Sequence, residues 1–202
     1  MQLIYNNQQY HIDENNNFIA NILKKINEIS NDKDVVFSHL IINDVEVFEN
    51  YEVFLKENIN RLFKVEIVTK KMNEMLWDTM ISINEYLQRA IPALKTLVNE
   101  SYEKFNDETW MGINQLAEGM QWILQFSTFT REVPRLPMNW DKVQDSVQAC
   151  EDSFAKLMEG VEVQDTVSIS DILTYEVTPA YEQLQENLAI ASKDEEFLKN
   201  VN

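Results

Sequence analysis

One cysteine, two histidines and three glycines in 202 residues remove several chemistries before any pattern is read. The single cysteine, Cys150, excludes an internal disulfide and fits a reducing compartment. Both histidines, His11 and His39, precede Lys71. The helices beyond it therefore cannot supply the Glu-x-x-His pairs of carboxylate-bridged metal bundles, nor an exposed helical histidine for phosphotransfer. A zinc site would have to rest mainly on carboxylates, and no spacing suggests one. Gly112, Gly119 and Gly160 stand in helical patterns and no Gly-x-x-x-x-Gly-Lys stretch occurs, which excludes a phosphate-cradling loop and nucleotide cofactors. No cofactor is expected.

Positive charge is equally scarce. Seventeen Lys and Arg face 34 Asp and Glu, for a net charge of −17 and a pI near 4.4. Such a chain repels phosphate backbones and anionic lipid, so neither nucleic acid nor a membrane surface is an expected partner. The pairs Lys24-Lys25 and Lys70-Lys71 are isolated and form no patch. No apolar run approaches the roughly 18 residues needed to span a bilayer, and no charged and apolar leader opens the chain, which is read as cytoplasmic. Heavy use of Asn, Ile and Lys points to an AT-rich, bacterial coding sequence.

What is present divides the chain at Lys71. All four tryptophans and seven of eight methionines lie beyond it. Charge divides there too, with eight basic against eleven acidic residues up to Lys71 and nine against 23 after it. Hydrophobic content of 45% suffices for one large or two small cores. The expected class is α+β, with a mixed module over 1–71 and an acidic helical bundle over 72–202.

In the first part, Leu3–Tyr5 and Gln9–Ile12 flank Asn6-Asn7, a pair that tolerates the positive φ of a tight hairpin, and Asp13–Asn17 end the hairpin. Phe18, Ile19, Ile22, Leu23, Ile26 and Ile29 recur at helical spacing behind Asn caps, predicting a helix that ends near Ser30. Val35–Ile42 and Val45–Phe48 surround Asn43-Asp44 as a second hairpin, Tyr51–Phe63 reads as helix, and Val65, Ile67 and Thr69 alternate as a last strand. This order of elements resembles the ubiquitin-like β-grasp fold over residues 1–71. The resemblance implies docking and not conjugation, because the module runs on into a helix without an exposed Gly-Gly tail. A ferredoxin-like arrangement has no place for both hairpins.

In the second part, Leu76, Met80, Ile83, Leu87, Ala90, Leu94 and Leu97 form one stripe of a helix over about 72–105, with Pro92 predicting a kink or a break near Ile91. A second helix starts at Asp107 as cap and places Trp110, Ile113, Leu116, Met120, Ile123 and Ser127 inward. Its Gly112 and Gly119, one heptad apart, are expected to permit close approach of a neighbour. After a connector over Glu132–Met138, Trp140, Val143, Val147, Cys150, Phe154, Leu157 and Val161 mark a third helix ending at Gly160. Ser168 and Ser170 precede a fourth, with Leu173, Val177, Ala180, Leu184, Leu188 and Ala191 inward and Pro179 interrupting it. Four amphipathic helices with short links predict an up-and-down bundle, with the tail from Lys193 frayed.

Catalytic candidates are few. His39 sits in a strand, and Cys150 on an apolar stripe where burial raises its pKa and opposes nucleophilic use. The chain is read as non-enzymatic. Asp141, Asp145, Asp152 and Glu159 form an acidic stripe on the third helix, relieved by Lys156, that suits a basic protein partner. Trp77 and Trp122 stand at the edges of their apolar stripes, where they cover a seam or serve as partner hot spots. Met72, Met75, Met80, Met111, Met120 and Met158 suit either core filling or an adaptable apolar surface, and the Trp and Met edges also suit a homo-oligomer. The expected function is a non-catalytic adapter, chaperone-like or regulatory protein. The alternative is a small-molecule binder with an apolar pocket near Gly112, Gly119 and the prolines.

Overall fold

Two pairs of left-handed residues organise the N-terminal half of the computed structural model, which describes residues 2–11, 18–29, 35–199 and 201. Asn6 and Asn7 (φ 48° and 60°) join β1 (Gln2–Tyr5) to β2 (Gln8–His11), and Asn43 and Asp44 (φ 50° and 67°) join β3 (Val35–Ile42) to β4 (Val45–Val47). Positive φ at both central residues gives the turn whose twist matches that of the flanking strands. Asn43 does more than turn the chain: its Nδ2 donates to the Arg61 carbonyl at 2.9 Å and its Oδ1 accepts from the Phe63 and Lys64 amides at 3.0 and 3.2 Å. This clamp sets the start of β5 (Lys64–Lys71).

The five strands form one mixed sheet in the order β2-β1-β5-β3-β4. β1 and β5 pair in parallel at its centre, and the other neighbours are antiparallel. A bulge between Phe37 and His39 shifts the β3–β5 register. Helix α1 (Phe18–Ile29) buries Phe18, Ile22, Ile26 and Ile29 in one cluster with Leu3, Leu40, Ile42, Val65 and Ile67. The residues read as its Asn caps and Ser30, like Ile12 and Asp13–Asn17, lie outside the described residues. The helix expected over Tyr51–Phe63 is shorter: α2 covers Tyr51–Glu57, and a 3-10 turn follows over Ile59–Arg61. The element order and sheet order are compatible with a β-grasp-like segment.

The chain divides into two compact units, Met1–Met75 and Leu76–Asn202. α3 (Met72–Glu103) begins directly after β5 and runs unbroken through Pro92, so no break occurs near Ile91. The proline and the Gln88 side chain one turn before it are exposed, where water can satisfy the carbonyl that loses its partner. Ile91, not Ala90, occupies the buried stripe, because a 3.6-residue turn drifts from a strict heptad.

α4 (Asp107–Thr130) is capped by Asn106, one residue before the expected Asp107, in a reciprocal box with Thr109. Ile113, Leu116, Met120 and Ile123 are buried as expected, but Thr109 and Phe126 are buried where Trp110 and Ser127 were expected, and those two stand beside the stripe. α5 (Trp140–Glu162) passes through Gly160, which is buried against Ile169. Ser153 replaces Phe154 as the buried position, and Phe154 and Val161 are partly buried against the same core.

The fourth helical run is continuous. α6 (Thr166–Ile172), capped by Asp165, already contains Ser168 and Ser170, and it leads through a π-helical turn over Leu173–Val177 into α7 (Thr178–Ala191). The Thr178 hydroxyl donates to the Leu173 carbonyl at 2.7 Å. This wider turn leaves room for the ring of Pro179, so the proline re-registers the helix and does not interrupt it. Beyond it the tail is tied down where fraying was expected. Asp194 caps α8 (Glu195–Leu198) and accepts from the Met138 amide at 2.7 Å, and Phe197 is buried. All six inward positions expected for the fourth helix are buried, joined by Tyr181. No helix among the described residues is long and apolar enough to cross a membrane.

Candidate functional site

Leu97 and Tyr86 of α3 point at the two glycines of α4. A Cβ on Gly112 would meet Leu97 Cδ1 at 2.7 Å, and one on Gly119 would meet the Tyr86 hydroxyl at 1.8 Å. The later residue of α3 faces the earlier glycine of α4, so the helices run antiparallel. The glycines thus admit side chains of a neighbouring helix, as their spacing suggested.

Along this seam lies a partly open groove of about 620 Å³. Its apolar floor is made by Ala90, Leu94, Leu97, Gly112 and Leu116, and exposed Ala93 and Met111 extend it outward. The small side chains of Ala90 and Ala93 on α3 leave the volume beside them unfilled, whereas the notch at Gly112 is taken up by Leu97. The rim is polar and uneven. Glu100 and Glu108 stand at the end nearest the α3–α4 turn, and Arg89 stands three turns away along α3. The Arg89 Nε donates only to the Glu85 carbonyl of its own helix, and none of the three makes an ion pair with a described residue. Their charges are available to a ligand.

Tyr86 closes the other end. Its ring meets Trp122 edge-on at 6.0 Å, and its hydroxyl interacts with that of Tyr181 behind it. The Tyr181 hydroxyl is buried and makes no hydrogen bond of normal geometry among the described residues. Burial, with Tyr86 and Cys150 nearby, pushes its pKa up, so it stays protonated. Burial likewise pushes the Cys150 thiol up to about 12, leaving no thiolate at neutral pH.

The residues singled out from the sequence are scattered around this groove. Asp141, Asp145, Asp152 and Glu159 are all exposed on α5 and take no part in it. Lys156 lies near Asp152 and Glu159, is bonded to Glu176 in the π-helical turn, and has its pKa raised chiefly by that bond. Trp77 is partly buried against the core, with its ring N–H enclosed and unpartnered among the described residues. Trp122 packs on the seam through Tyr86. Met80 and Met120 are core filler, whereas Met111 and Met158 are exposed. His39 is buried in the sheet, its Nδ1 3.0 Å from the Ser38 hydroxyl and its ring stacked on Phe48 at 4.5 Å. The His11 side chain lies outside what is described. Among the described residues no three His, Cys, Asp or Glu side chains converge as a metal site. Sequence reasoning named Gly112 but missed Arg89, Ala93, Glu100 and Glu108. Small residues one turn apart at Ala90 and Ala93 were the available signal.

The site is thus a groove between two helices of an acidic α-helical unit that follows a mixed sheet. The protein belongs to a family defined by a domain of unknown function (DUF8042), whose model matches residues 78–187. The matched span holds the whole groove and the acidic stripe, and it begins one residue after Trp77. No curated protein and no solved structure matches the chain.

Proposed function

We propose that this protein is a non-catalytic binding protein of the cytoplasm, an adapter or chaperone-like regulator that takes an apolar protein segment into the α3–α4 groove. The observation that carries the reading is the groove itself: an apolar floor, exposed Ala93 and Met111, and a polar rim, open along one side. An enclosed ligand pocket buries most of its occupant, whereas an open groove between helices suits a helix laid into it. On this reading the N-terminal unit is a β-grasp module used for docking. The stripe of Asp141, Asp145, Asp152 and Glu159 steers a basic partner toward the protein, and Trp77 and Trp122 stiffen the seam.

The test is affinity purification of the tagged protein and of Ala93→Trp, which fills the groove from an exposed position. The expected result is a specific protein partner that is retained by the wild type, weakened as salt rises, and lost from the variant. A partner retained equally by both would place binding elsewhere and overturn the reading. The volume of about 620 Å³ also matches small-ligand pockets. A small molecule released on denaturation from the wild type and not from Ala93→Trp would replace the adapter by that second reading.

A further inference from the structure

The groove has a polarity that its apolar floor does not explain. Glu100 and Glu108 come from two different helices and meet at one end, whereas Arg89 stands eleven residues earlier on α3, about 17 Å away at helical rise. All three are exposed, and none is neutralised by an ion pair with a described residue. In a chain of net charge −17, with Lys and Arg outnumbered two to one, a lone arginine at the far end of an acid-tipped apolar groove defines a direction. The span between the charges equals about three helical turns, so a helix lying along the floor can address both ends at once.

Resting on the groove reading above, we propose that the partner segment is an amphipathic helix of about three to four turns, carrying a basic cluster at one end and an acidic residue at the other. Its apolar face covers Ala90, Leu94, Leu97 and Gly112. Its basic end sits between Glu100 and Glu108, and its acidic residue pairs with Arg89. The paired rim charges fix which way the segment lies and reject segments that are acidic at both ends, because like charges would then face each other across the rim.

Fluorescence anisotropy with labelled synthetic peptides tests this on the full chain. One peptide carries leucines on a helical face, two lysines at one end and two glutamates at the other, and a second is identical but has glutamates at both ends. The wild type should bind the first about tenfold more tightly, with the gap closing as salt rises. Glu100→Lys with Glu108→Lys should invert the preference. Arg89→Glu should weaken the first peptide several-fold. Glu151→Gln on α5 with Glu186→Gln on α7, both exposed and outside the groove and the acidic stripe, should leave the preference in place, which separates the rim from the general field of an acidic protein. Binding that Ala93→Trp abolishes but the rim reversals leave unchanged would overturn the polarity and leave the groove reading standing. Binding of neither peptide, or binding that Ala93→Trp does not affect, would overturn both.

Discussion

In the sheet unit the path of the chain turns on a few adjacent residues, whereas in the helical unit three conspicuous helix breakers leave their helices unbroken. Asn43 holds a left-handed turn and bonds three backbone groups that start β5. In the helical unit the residues of strongest local character, Pro92, Pro179 and Gly160, do not terminate the elements they stand in. The difference has a physical cause. A two-residue hairpin has only its own φ and ψ to close it, so turn chemistry decides. A helix of more than 20 residues buries a long apolar stripe, and that burial outweighs one proline facing water or one glycine facing a neighbour. A local signal is decisive where few other interactions compete with it.

The largest effect that sharpens this contrast is core truncation on each side. Leu40→Ala in the sheet and Leu87→Ala in α3, both fully buried, should each destabilise their own unit by about 2–5 kcal/mol. All four tryptophans lie beyond Lys71, so tryptophan fluorescence follows the helical unit during thermal unfolding. Leu87→Ala should shift that transition and Leu40→Ala should not. An equal shift in both would show that the two units unfold as one.

A smaller effect separates the two glycines of α4. Helix propensity alone predicts that alanine at either site stabilises by about 1 kcal/mol. Gly119→Ala should instead destabilise by about 1–3 kcal/mol, because the new methyl meets the Tyr86 hydroxyl at 1.8 Å and displaces a ring packed on Trp122. Gly112→Ala meets the movable end of Leu97 and should fall near neutrality. Chemical denaturation of the two variants ranks them. Equal stabilisation by both would show that the seam is looser than described.

Asp194 supplies a pH test of the tied-down tail. Hydrogen bonds from the Met138 and Phe197 amides hold its carboxyl below the usual carboxylate range. A folded pKa lower than the unfolded one contributes stability above the unfolded value, near pH 4, which is lost as pH falls through the folded value. Asp194→Asn should therefore lower Tm at neutral pH, and the difference from wild type should shrink on acidification. A difference that is constant with pH would assign the effect to the cap geometry and not to the charge.

The smallest effect is expected at Tyr181. Its hydroxyl is buried without a hydrogen bond of normal geometry, so Tyr181→Phe removes a desolvated polar group and keeps the ring. The change should lie within about 1 kcal/mol of wild type or stabilise. A loss well beyond that, measured by denaturant midpoint, would show that the pairing with Tyr86 holds the seam together.

Legibility followed the same division. Both hairpins and the order of elements in the sheet unit could be read from Asn6-Asn7, Asn43-Asp44 and the alternation of β5, because these signals act over a few residues. The inward face of the fourth helix was legible from spacing alone. Boundaries were less so: Asn106, not Asp107, caps α4, and α5 continues to Glu162 because Gly160 is a contact point for Ile169 and not a stop. Of the candidate site, Ala90, Leu94, Leu97 and Leu116 could be read as parts of apolar stripes, Gly112 as a possible pocket residue and Met111 as possible apolar surface. Ala93, Glu100 and Glu108 face away from the stripe, and spacing cannot tell an outward residue beside open solvent from one beside a groove.

The amino-acid sequence by itself determined the α+β class, the acidity and its concentration beyond Lys71, the two hairpin turns and the four apolar stripes, because each depends on composition or on neighbours within a few residues. Only the tertiary structure decided which side chains fill the glycine notches, that Pro179 follows a π-helical turn, and that Arg89, Glu100 and Glu108 share one groove. Those outcomes depend on which faces of separate helices meet, and no spacing within a single helix encodes that.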